Sequence, residues 1–235
     1  VPYLDDHEDI QSLTEQAHLL DAKLVYFANP DNPMGSWHTA DTVQGLIDNL
    51  PSSCLLVLDE AYIDLAPSGT APDLLPETDN VIRLRTFSKA YGMAGARVGY
   101  AIGPKSLMTA FEKMRNHFGV SRISQAGALA ALQDQDYVAE IKEKVAKSRA
   151  TLAQIAKDNG LTSLPSATNF VTVDCGGDGD FAGKVLDQMI ARSVFVRMPA
   201  VAPMNRCIRI SCGAEDAMAL VAKTLPEALK AARAS

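Results

Sequence analysis

The feature that most constrains the fold is the alternation of short apolar strands with an amphipathic helix in the first part of the chain. Residues 24–28, 55–59 and 81–86 are segments of strand length in which at least half of the residues are apolar. Between the first two runs, residues 43–50 place apolar side chains at i, i+3, i+4 and i+7, which is one face of a helix. Strand, helix and strand at this spacing predict βαβ units and a mostly parallel sheet that is covered on both faces. Residues 98–102 are a candidate for a fourth strand.

Helical patterns dominate the chain from residue 124 onward. Residues 125–133 are rich in Ala and Leu, and after an interruption at 134–136 an apolar stripe continues to a stop at Asn159-Gly160. We expect this long segment, residues 123–160, to be a connecting helix between two domains.

The C-terminal part of the chain, residues 161–235, predicts a small α+β domain. Short strand candidates lie at 170–173, 194–197 and 208–211. The last helix has one apolar face that Pro226 interrupts, so we expect the helix to kink or restart there. Residues 1–122 are then part of a large domain.

The charge balance and the cysteines exclude several classes of protein. The chain has 22 Lys and Arg against 28 Asp and Glu, a formal charge of −6, which argues against a nucleic-acid or anionic-membrane partner. The longest strand-like apolar run, residues 54–58, is far shorter than the roughly 20 residues of a membrane-spanning helix. The four cysteines show no CxxC spacing, and the histidines lack metal-ligand spacing. We therefore expect a reduced, cytoplasmic protein with small-molecule substrates and no metal site.

Three polar residues follow successive predicted strands. Asn32 comes after the first strand, Asp59 ends the second, and Lys89 follows the third. Because ligands of open parallel sheets bind beyond the carboxyl ends of the strands, we expect these three side chains to face one crevice.

The three residues together predict a cofactor. Alone, each has an ordinary interpretation: a turn, a helix cap and a solvated lysine. An amide, a carboxylate and an amine at successive strand ends have no obvious shared packing role, however. Pyridoxal 5′-phosphate (PLP) chemistry uses all three, because a carboxylate keeps the pyridine nitrogen protonated, a lysine forms a Schiff base and shuttles a proton, and an amide stabilises the phenolic oxygen. The set therefore predicts PLP as the cofactor.

Several sequence segments resemble a known family. N-P-D-N-P-M-G at 29–35 is similar to the N-P-x-N-P-T-G run of the fold-type I, PLP-dependent aminotransferases of class I/II, with Met in place of Thr. L-D-E-A-Y-I-D and R-T-F-S-K-A-Y-G-M-A-G-A-R-V-G-Y resemble the segments that carry the cofactor-binding Asp and the lysine of that family. S-A-T-N-F and I-R-I-S-C-G resemble its small-domain signatures. The resemblance covers nearly the whole chain and is strongest to the histidinol-phosphate aminotransferase group.

The resemblance implies a role for each matching residue around the pyridine ring. Lys89 corresponds to the Schiff-base lysine and catalytic acid/base. Asp59 corresponds to the partner of the protonated ring nitrogen. Tyr62 and Asn32 correspond to the residues that hydrogen-bond the phenolic oxygen.

The resemblance also implies residues for the two anionic groups. Thr86, Ser88 and Arg97 correspond to the phosphate-binding residues of the family. Arg209 corresponds to the arginine that binds the α-carboxylate of the substrate, with Asn32 beside it, because a planar guanidinium suits a planar carboxylate.

The resemblance implies an α/β protein of PLP-transferase fold type I, with a mostly parallel large domain and a small α+β C-terminal domain. Family members are longer at the amino terminus, so we expect this chain to lack part of the large domain. We also expect a homodimer, because active sites of the family lie at a dimer interface.

The expected function is that of a PLP-dependent aminotransferase of amino-acid biosynthesis. It would move an amino group between an amino acid, or a histidinol phosphate-like amine, and a 2-oxo acid through Lys89. Two alternatives remain. One is a PLP-dependent decarboxylase or lyase, because the same fold hosts both reactions. The other is a PLP-binding fragment that truncation has made catalytically inert.

Overall fold

The computed structural model describes residues 1–73, 78 and 80–234, which divide into two compact units. The first unit contains residues 1–31 and 37–142. The second contains residues 32–36 and 143–235, so that five residues of the early chain belong to it.

A four-stranded sheet forms the centre of the first unit. Its strands are β3 (Leu24–Ala28), β4 (Leu55–Asp59), β5 (Val81–Thr86) and β6 (Gly99–Ile102), and they are arranged in that order. The pairs β3–β4 and β4–β5 are parallel, as predicted, and β6 is antiparallel to β5. The connection from β5 to β6, residues 87–98, holds only a short 3₁₀ helix, whereas a parallel return usually runs through an α-helix that packs on the sheet.

Helices α1 (Ile10–Leu19) and α2 (Ala40–Asn49) cover one face of this sheet. Thr39 caps the N-terminus of α2, because its hydroxyl accepts a hydrogen bond from the backbone N–H of Thr42 at 3.3 Å. Each residue of this core is less than one-tenth exposed: Ala17, Val25, Phe27, Val43, Leu46, Leu50, Cys54, Leu56, Leu58 and Val81.

The opposite face of the sheet is open at strand β3. Leu24 is 56% exposed and Tyr26 is 54% exposed, while their neighbours Val25 and Phe27 on the other face are buried. Within the described ranges, the second covering layer that was predicted is therefore not found at this edge. Alternation along the strand puts every second side chain on the face that α1 and α2 leave free.

A two-stranded ribbon precedes the first helix, and three more helices complete the first unit's chain. The ribbon pairs β1 (Tyr3–Leu4) with β2 (His7–Glu8) in antiparallel fashion. Helix α3 (Lys105–Glu112) was not indicated by the sequence pattern, and α4 (Arg122–Gln133) follows it. Helix α5 (Gln135–Asp158) begins after Asp134. The segment expected as one connecting helix therefore contains two helices, and the boundary between the compact units falls inside α5.

The second unit contains an antiparallel sheet and helices. The strands are β7 (Thr162–Ser163), β8 (Phe170–Asp174) and β9 (Cys207–Ser211), in the order β7-β8-β9. Helices α6 (Gly179–Ala191) and α7 (Glu215–Ala234) pack on it with the C-terminal part of α5. None of the helices in the described ranges is both long enough and apolar enough to cross a membrane.

The prediction of a strand at residues 194–197 is wrong. Only Arg197 pairs, in an isolated bridge whose two backbone hydrogen bonds reach Arg209. The N–H of Val194 instead bonds the carbonyl of Met189 at the end of α6, and Pro199 has no N–H to continue a ladder.

Helix α7 runs from residue 215 to 234, so of the two outcomes predicted for Pro226, a kink or a restart, the restart does not occur. Proline inside a helix removes one hydrogen bond and costs about 3 kcal/mol. Leu225, Ala228 and Leu229, on either side of it, are at most 2% exposed in the core of the second unit. Burial of these side chains offsets the cost and keeps the helix in one piece.

Candidate active site

Two strand ends and the loop after them bring the predicted residues of the first unit to one edge of the sheet. Asp59 is the last residue of β4 and Thr86 is the last residue of β5. Lys89 follows three residues later. Because β4 and β5 are parallel neighbours, their carboxyl ends meet at the same edge, where ligands of such sheets bind.

A cavity of about 360 Å³ lies at this edge, in the size range of small-molecule sites. It combines an amine, a carboxylate, a guanidinium and hydroxyl groups. The predicted site residues that line it are Asp59, Thr86, Ser88, Lys89 and Arg97, beside Ala61, Leu84 and Arg85.

The Asp59 carboxylate is held at both oxygens. Its Oδ1 accepts a hydrogen bond from the backbone N–H of Ala61 at 2.9 Å. Its Oδ2 accepts one from the hydroxyl of Tyr26 on the neighbouring strand. Two donors therefore fix the plane of this carboxylate.

Lys89 is half-buried and lies over an aromatic ring. Its Nζ is 4.8 Å from the centroid of the Tyr62 ring, and Tyr62 is only 7% exposed. A cation in this position is attracted to the ring face, which favours one orientation of a flexible side chain. The backbone is fixed as well, because the carbonyl of Lys89 accepts a hydrogen bond from the N–H of Gly92 at 3.0 Å.

Thr86, Ser88 and Arg97 form a cluster of donors. The hydroxyl of Thr86 accepts the backbone N–H of Ser88 at 3.1 Å, and the two hydroxyl oxygens are 3.0 Å apart. Arg97 is exposed, with a φ of 50°, which places a non-glycine residue in the left-handed region. Its guanidinium donates to the carbonyl of Ala94 at 2.8 Å. Backbone strain of this kind costs about 1–3 kcal/mol and clusters at functional sites.

The other two predicted residues, Asn32 and Arg209, contact each other inside the second unit. Nη1 of Arg209 donates a hydrogen bond to Oδ1 of Asn32. The Arg209 guanidinium also stacks 4.6 Å from the centroid of the Phe170 ring. The segment that carries Asn32 is anchored as well, because the Thr172 hydroxyl donates to the carbonyl of the next residue, Pro33, at 2.7 Å.

Glu60, although it follows Asp59 directly, belongs to a different network. It is 1% exposed, and Nε of Arg83 donates to it at 3.1 Å and Nε of Arg85 at 2.8 Å. The charge of this buried carboxylate is balanced by two guanidinium groups, which is a structural role, so we assign no catalytic role to Glu60.

A larger cavity, in the second unit, does not contain any of the predicted residues. It has a volume of about 830 Å³ and lies between α5 and the start of α7, lined largely by apolar surface around Ile155 and Met218. Size alone therefore points away from the polar groups, and we take the smaller cavity as the candidate site because it holds the reactive side chains.

Two neighbours of Asp59 were missed by the sequence analysis. Tyr26 donates to it from β3, and Glu8 on β2 lies close enough for its charge to interact with Asp59 and Asp31. Burial, and then the charge of Asp31, raise the pKa of the Glu8 carboxyl from 4.5 to about 8. The available signal for Tyr26 was a hydroxyl-bearing residue that alternates with buried apolar residues along a strand-like segment. Nothing in the sequence linked Glu8 to residue 59.

Comparison with known proteins places this geometry in a family. The sequence profile described as "Aminotransferase class I and II" matches residues 4–225. A histidinol-phosphate aminotransferase from a Geobacillus species is 32% identical over 98% of this chain and 63% of its own length. One from Bacillus pumilus is 37% identical over 90% of this chain and 58% of its own length. The chain thus spans about three-fifths of the length of these relatives.

Solved structures give the same result. The crystal structure of histidinol-phosphate aminotransferase from Sinorhizobium meliloti in complex with pyridoxal-5′-phosphate is 52% identical, with a TM-score of 0.96 over 98% of this chain and 63% of that one. A putative histidinol-phosphate aminotransferase from Erwinia carotovora atroseptica is 29% identical, with a TM-score of 0.88 over 98% and 67%. The expected PLP fold type I is confirmed, and the chain belongs to the class I and II aminotransferase family.

Proposed function

We propose that the chain is part of a PLP-dependent aminotransferase that moves an amino group between an amino acid, or a histidinol phosphate-like amine, and a 2-oxo acid. The observation that carries this proposal is the cavity in which Lys89, Asp59 and Arg97 come together with two hydroxyl groups. The names of the relatives from Geobacillus and Bacillus pumilus support a histidinol phosphate-like amine as a substrate. The S. meliloti complex supports PLP as the cofactor.

The donor set fits PLP group by group. The amine of Lys89 suits the aldehyde, the Asp59 carboxylate suits a protonated ring nitrogen, and the guanidinium of Arg97 suits the phosphate. The Thr86 and Ser88 hydroxyls add two neutral donors for phosphate oxygens. We propose that Tyr62 and Asn32 bind the phenolic oxygen.

When bound, PLP supplies a carbonyl that links covalently to amines and a ring that accepts electron density from the substrate. The chain's own residues have three tasks. Lys89 holds and moves the proton that leaves the substrate α-carbon. Asp59 keeps a proton on the ring nitrogen. Arg209 binds the α-carboxylate, and its contacts with Asn32 and the Phe170 ring hold its guanidinium in one orientation.

We further propose that the protein acts as a homodimer. Three large apolar side chains between α3 and the first turn of α4 are strongly exposed: Met114 is 89%, Phe118 is 92% and Ile123 is 86% exposed. Large apolar side chains exposed to this extent are typical of an interface, and a second copy is the partner that the family resemblance implies.

We propose a cytoplasmic location and a two-domain organisation. The four cysteines, all within the described ranges, form no disulfide, which suits a reducing compartment. Residues 1–122 would be part of the large PLP-binding domain, residues 123–160 the connecting helical segment, and residues 161–235 the small domain.

Replacement of Lys89 tests the proposed reaction. We expect Lys89→Ala to lower transamination by about 100-fold or more, since a positioned acid/base contributes about that much. Lys113→Ala, which removes an exposed lysine on the same unit, should retain native activity. Amino acid added to the PLP-loaded protein should yield one equivalent of pyridoxamine phosphate. Release of CO₂ in its place would establish the decarboxylase alternative, and full activity of Lys89→Ala would refute the role of the lysine.

A further inference from the structure

The bond between Tyr26 and Asp59 follows from the register of two strands. Tyr26 on β3 is paired with Val57 on β4, and Asp59 lies two residues beyond Val57. Residues two apart on a strand share a face, so Tyr26 and Asp59 are diagonal neighbours on the same side of the sheet, within reach of an aromatic side chain. The Tyr26 hydroxyl accordingly donates to Oδ2 of Asp59.

Packing within the described part of the chain does not account for Tyr26. The residue is 54% exposed, whereas Val25 and Phe27 beside it are buried and supply the apolar contacts of the strand. What the Tyr26 side chain contributes is its hydroxyl group, and the acceptor is the carboxylate at the candidate site.

The surroundings keep this hydroxyl protonated. Burial, and then the hydrogen bond to Asp59, raise the pKa of the Tyr26 phenol well above its usual range. The negative charge of Asp31 acts in the same direction, and so does that of Glu8 at a pH high enough to ionise it. The phenol is therefore a donor across the pH range in which an enzyme of this class works, and hydrogen bonds from a neutral donor to a carboxylate are among the strong ones.

We propose that Tyr26 is a positioning residue that holds the Asp59 carboxylate in the orientation needed to bind a protonated ring nitrogen. The inference rests on the proposed function, because it concerns the group that Asp59 binds. With Ala61 N–H on Oδ1 and Tyr26 on Oδ2, the carboxylate cannot rotate without breaking a bond. Preorganisation of this kind acts through affinity for a ligand with a ring nitrogen and has no effect on one without it.

Affinity for two cofactors tests the proposal. Tyr26→Phe removes the hydroxyl and keeps the ring. We expect its dissociation constant for PLP to rise about tenfold, the effect of losing one hydrogen bond to a charged group. Affinity for the carbocyclic analogue of PLP, in which C–H replaces the ring nitrogen, should not change. In an Asp59→Asn background, Tyr26→Phe should have no further effect on PLP affinity, because the two residues act as one unit.

Tyr3→Phe is the matched control. The Tyr3 hydroxyl donates to Oδ1 of Asp31 at 2.9 Å, so the variant removes the same kind of phenol–carboxylate bond in the same unit. It should bind both cofactors like the native chain.

Three results would overturn the inference: equal loss of both cofactors in Tyr26→Phe, no loss of either, or loss of the same size in the Asp59→Asn background. Failure of the proposed function has a different signature, since the native chain itself would then bind neither cofactor, and the inference would fall with it.

Discussion

The carboxyl of Glu8 allows a quantitative test of the electrostatics around Asp59. Its Oε2 atom is buried and has no hydrogen-bond partner in the described part of the chain. Burial is the main reason that its pKa rises from 4.5 to about 8, and the carboxylates of Asp31 and Asp59 add to the effect. Glu8 is thus a neutral acid at pH 7 in the folded protein and an ionised one in the unfolded chain.

The sign of the effect on stability follows from proton linkage. Between pH 4.5 and pH 8 the folded state binds one more proton than the unfolded state, so the free energy of unfolding falls as the pH rises. The rise of the Glu8 pKa from 4.5 to about 8 corresponds to a total loss of roughly 5 kcal/mol in the free energy of unfolding. This loss is absent below pH 4.5 and complete above pH 8. Gln has the shape of the neutral acid and does not titrate. The free energy of unfolding of Glu8→Gln should therefore increase relative to that of the native chain by about 1.4 kcal/mol per pH unit between pH 5 and pH 8.

Urea unfolding at half-unit pH steps measures this gap. Trp37 is the single tryptophan of the chain and belongs to the first unit, so its fluorescence follows the unit that contains Glu8. Glu15→Gln on α1, which replaces an exposed carboxyl of the same unit, serves as control and should show a constant difference from the native chain. A constant difference for Glu8→Gln as well would refute the reasoning, because it would mean that Glu8 is ionised when folded.

One substitution in each unit tests the stability of that unit. Glu60→Gln should lower the free energy of unfolding of the first unit by about 3–5 kcal/mol, because it leaves the buried Arg83 without its charge partner. Urea unfolding followed by fluorescence measures this loss, and a loss below about 1 kcal/mol would contradict the role of the buried ion pair. Gly35→Ala should cost the second unit about 1–3 kcal/mol by circular dichroism, since Gly35 has a φ of 86° and a Cβ there would lie 2.7 Å from Oγ of Ser166. Gly45→Ala is its control, because a Cβ at that helical position meets nothing within 4 Å and should stabilise by about 0.5–1 kcal/mol.

The elements that the sequence predicted well are those whose side chains are buried on one face. The runs at β3, β4 and β5 are recognisable because the sheet core needs apolar residues there, and the polar residues that follow mark the strand ends. The run at 194–197 shows the limit of this reasoning. Val194 and Val196 are buried and Phe195 is 74% exposed, so the burial alternates as in a strand, although only Arg197 forms a bridge.

The arrangement of the candidate site could be predicted where it depends on local motifs and not where it depends on register. Thr86, Ser88 and Lys89 lie within four residues of each other, so one segment positions all three. The contact of Tyr26 with Asp59 depends on how β3 aligns with β4, and a shift of one residue would turn Tyr26 to the other face. A single sequence does not specify that alignment.

The five residues 32–36 have a consequence for modularity. They interrupt the first unit yet belong to the second, where Gly35 accepts the N–H of Ala167 at 2.9 Å and Pro33 accepts the hydroxyl of Thr172. A gene segment that begins at residue 143 would encode the second unit without these partners. Recombination between relatives therefore cannot exchange this unit as one contiguous cassette: a functional chimera has to inherit the short upstream loop from the same parent as the C-terminal half.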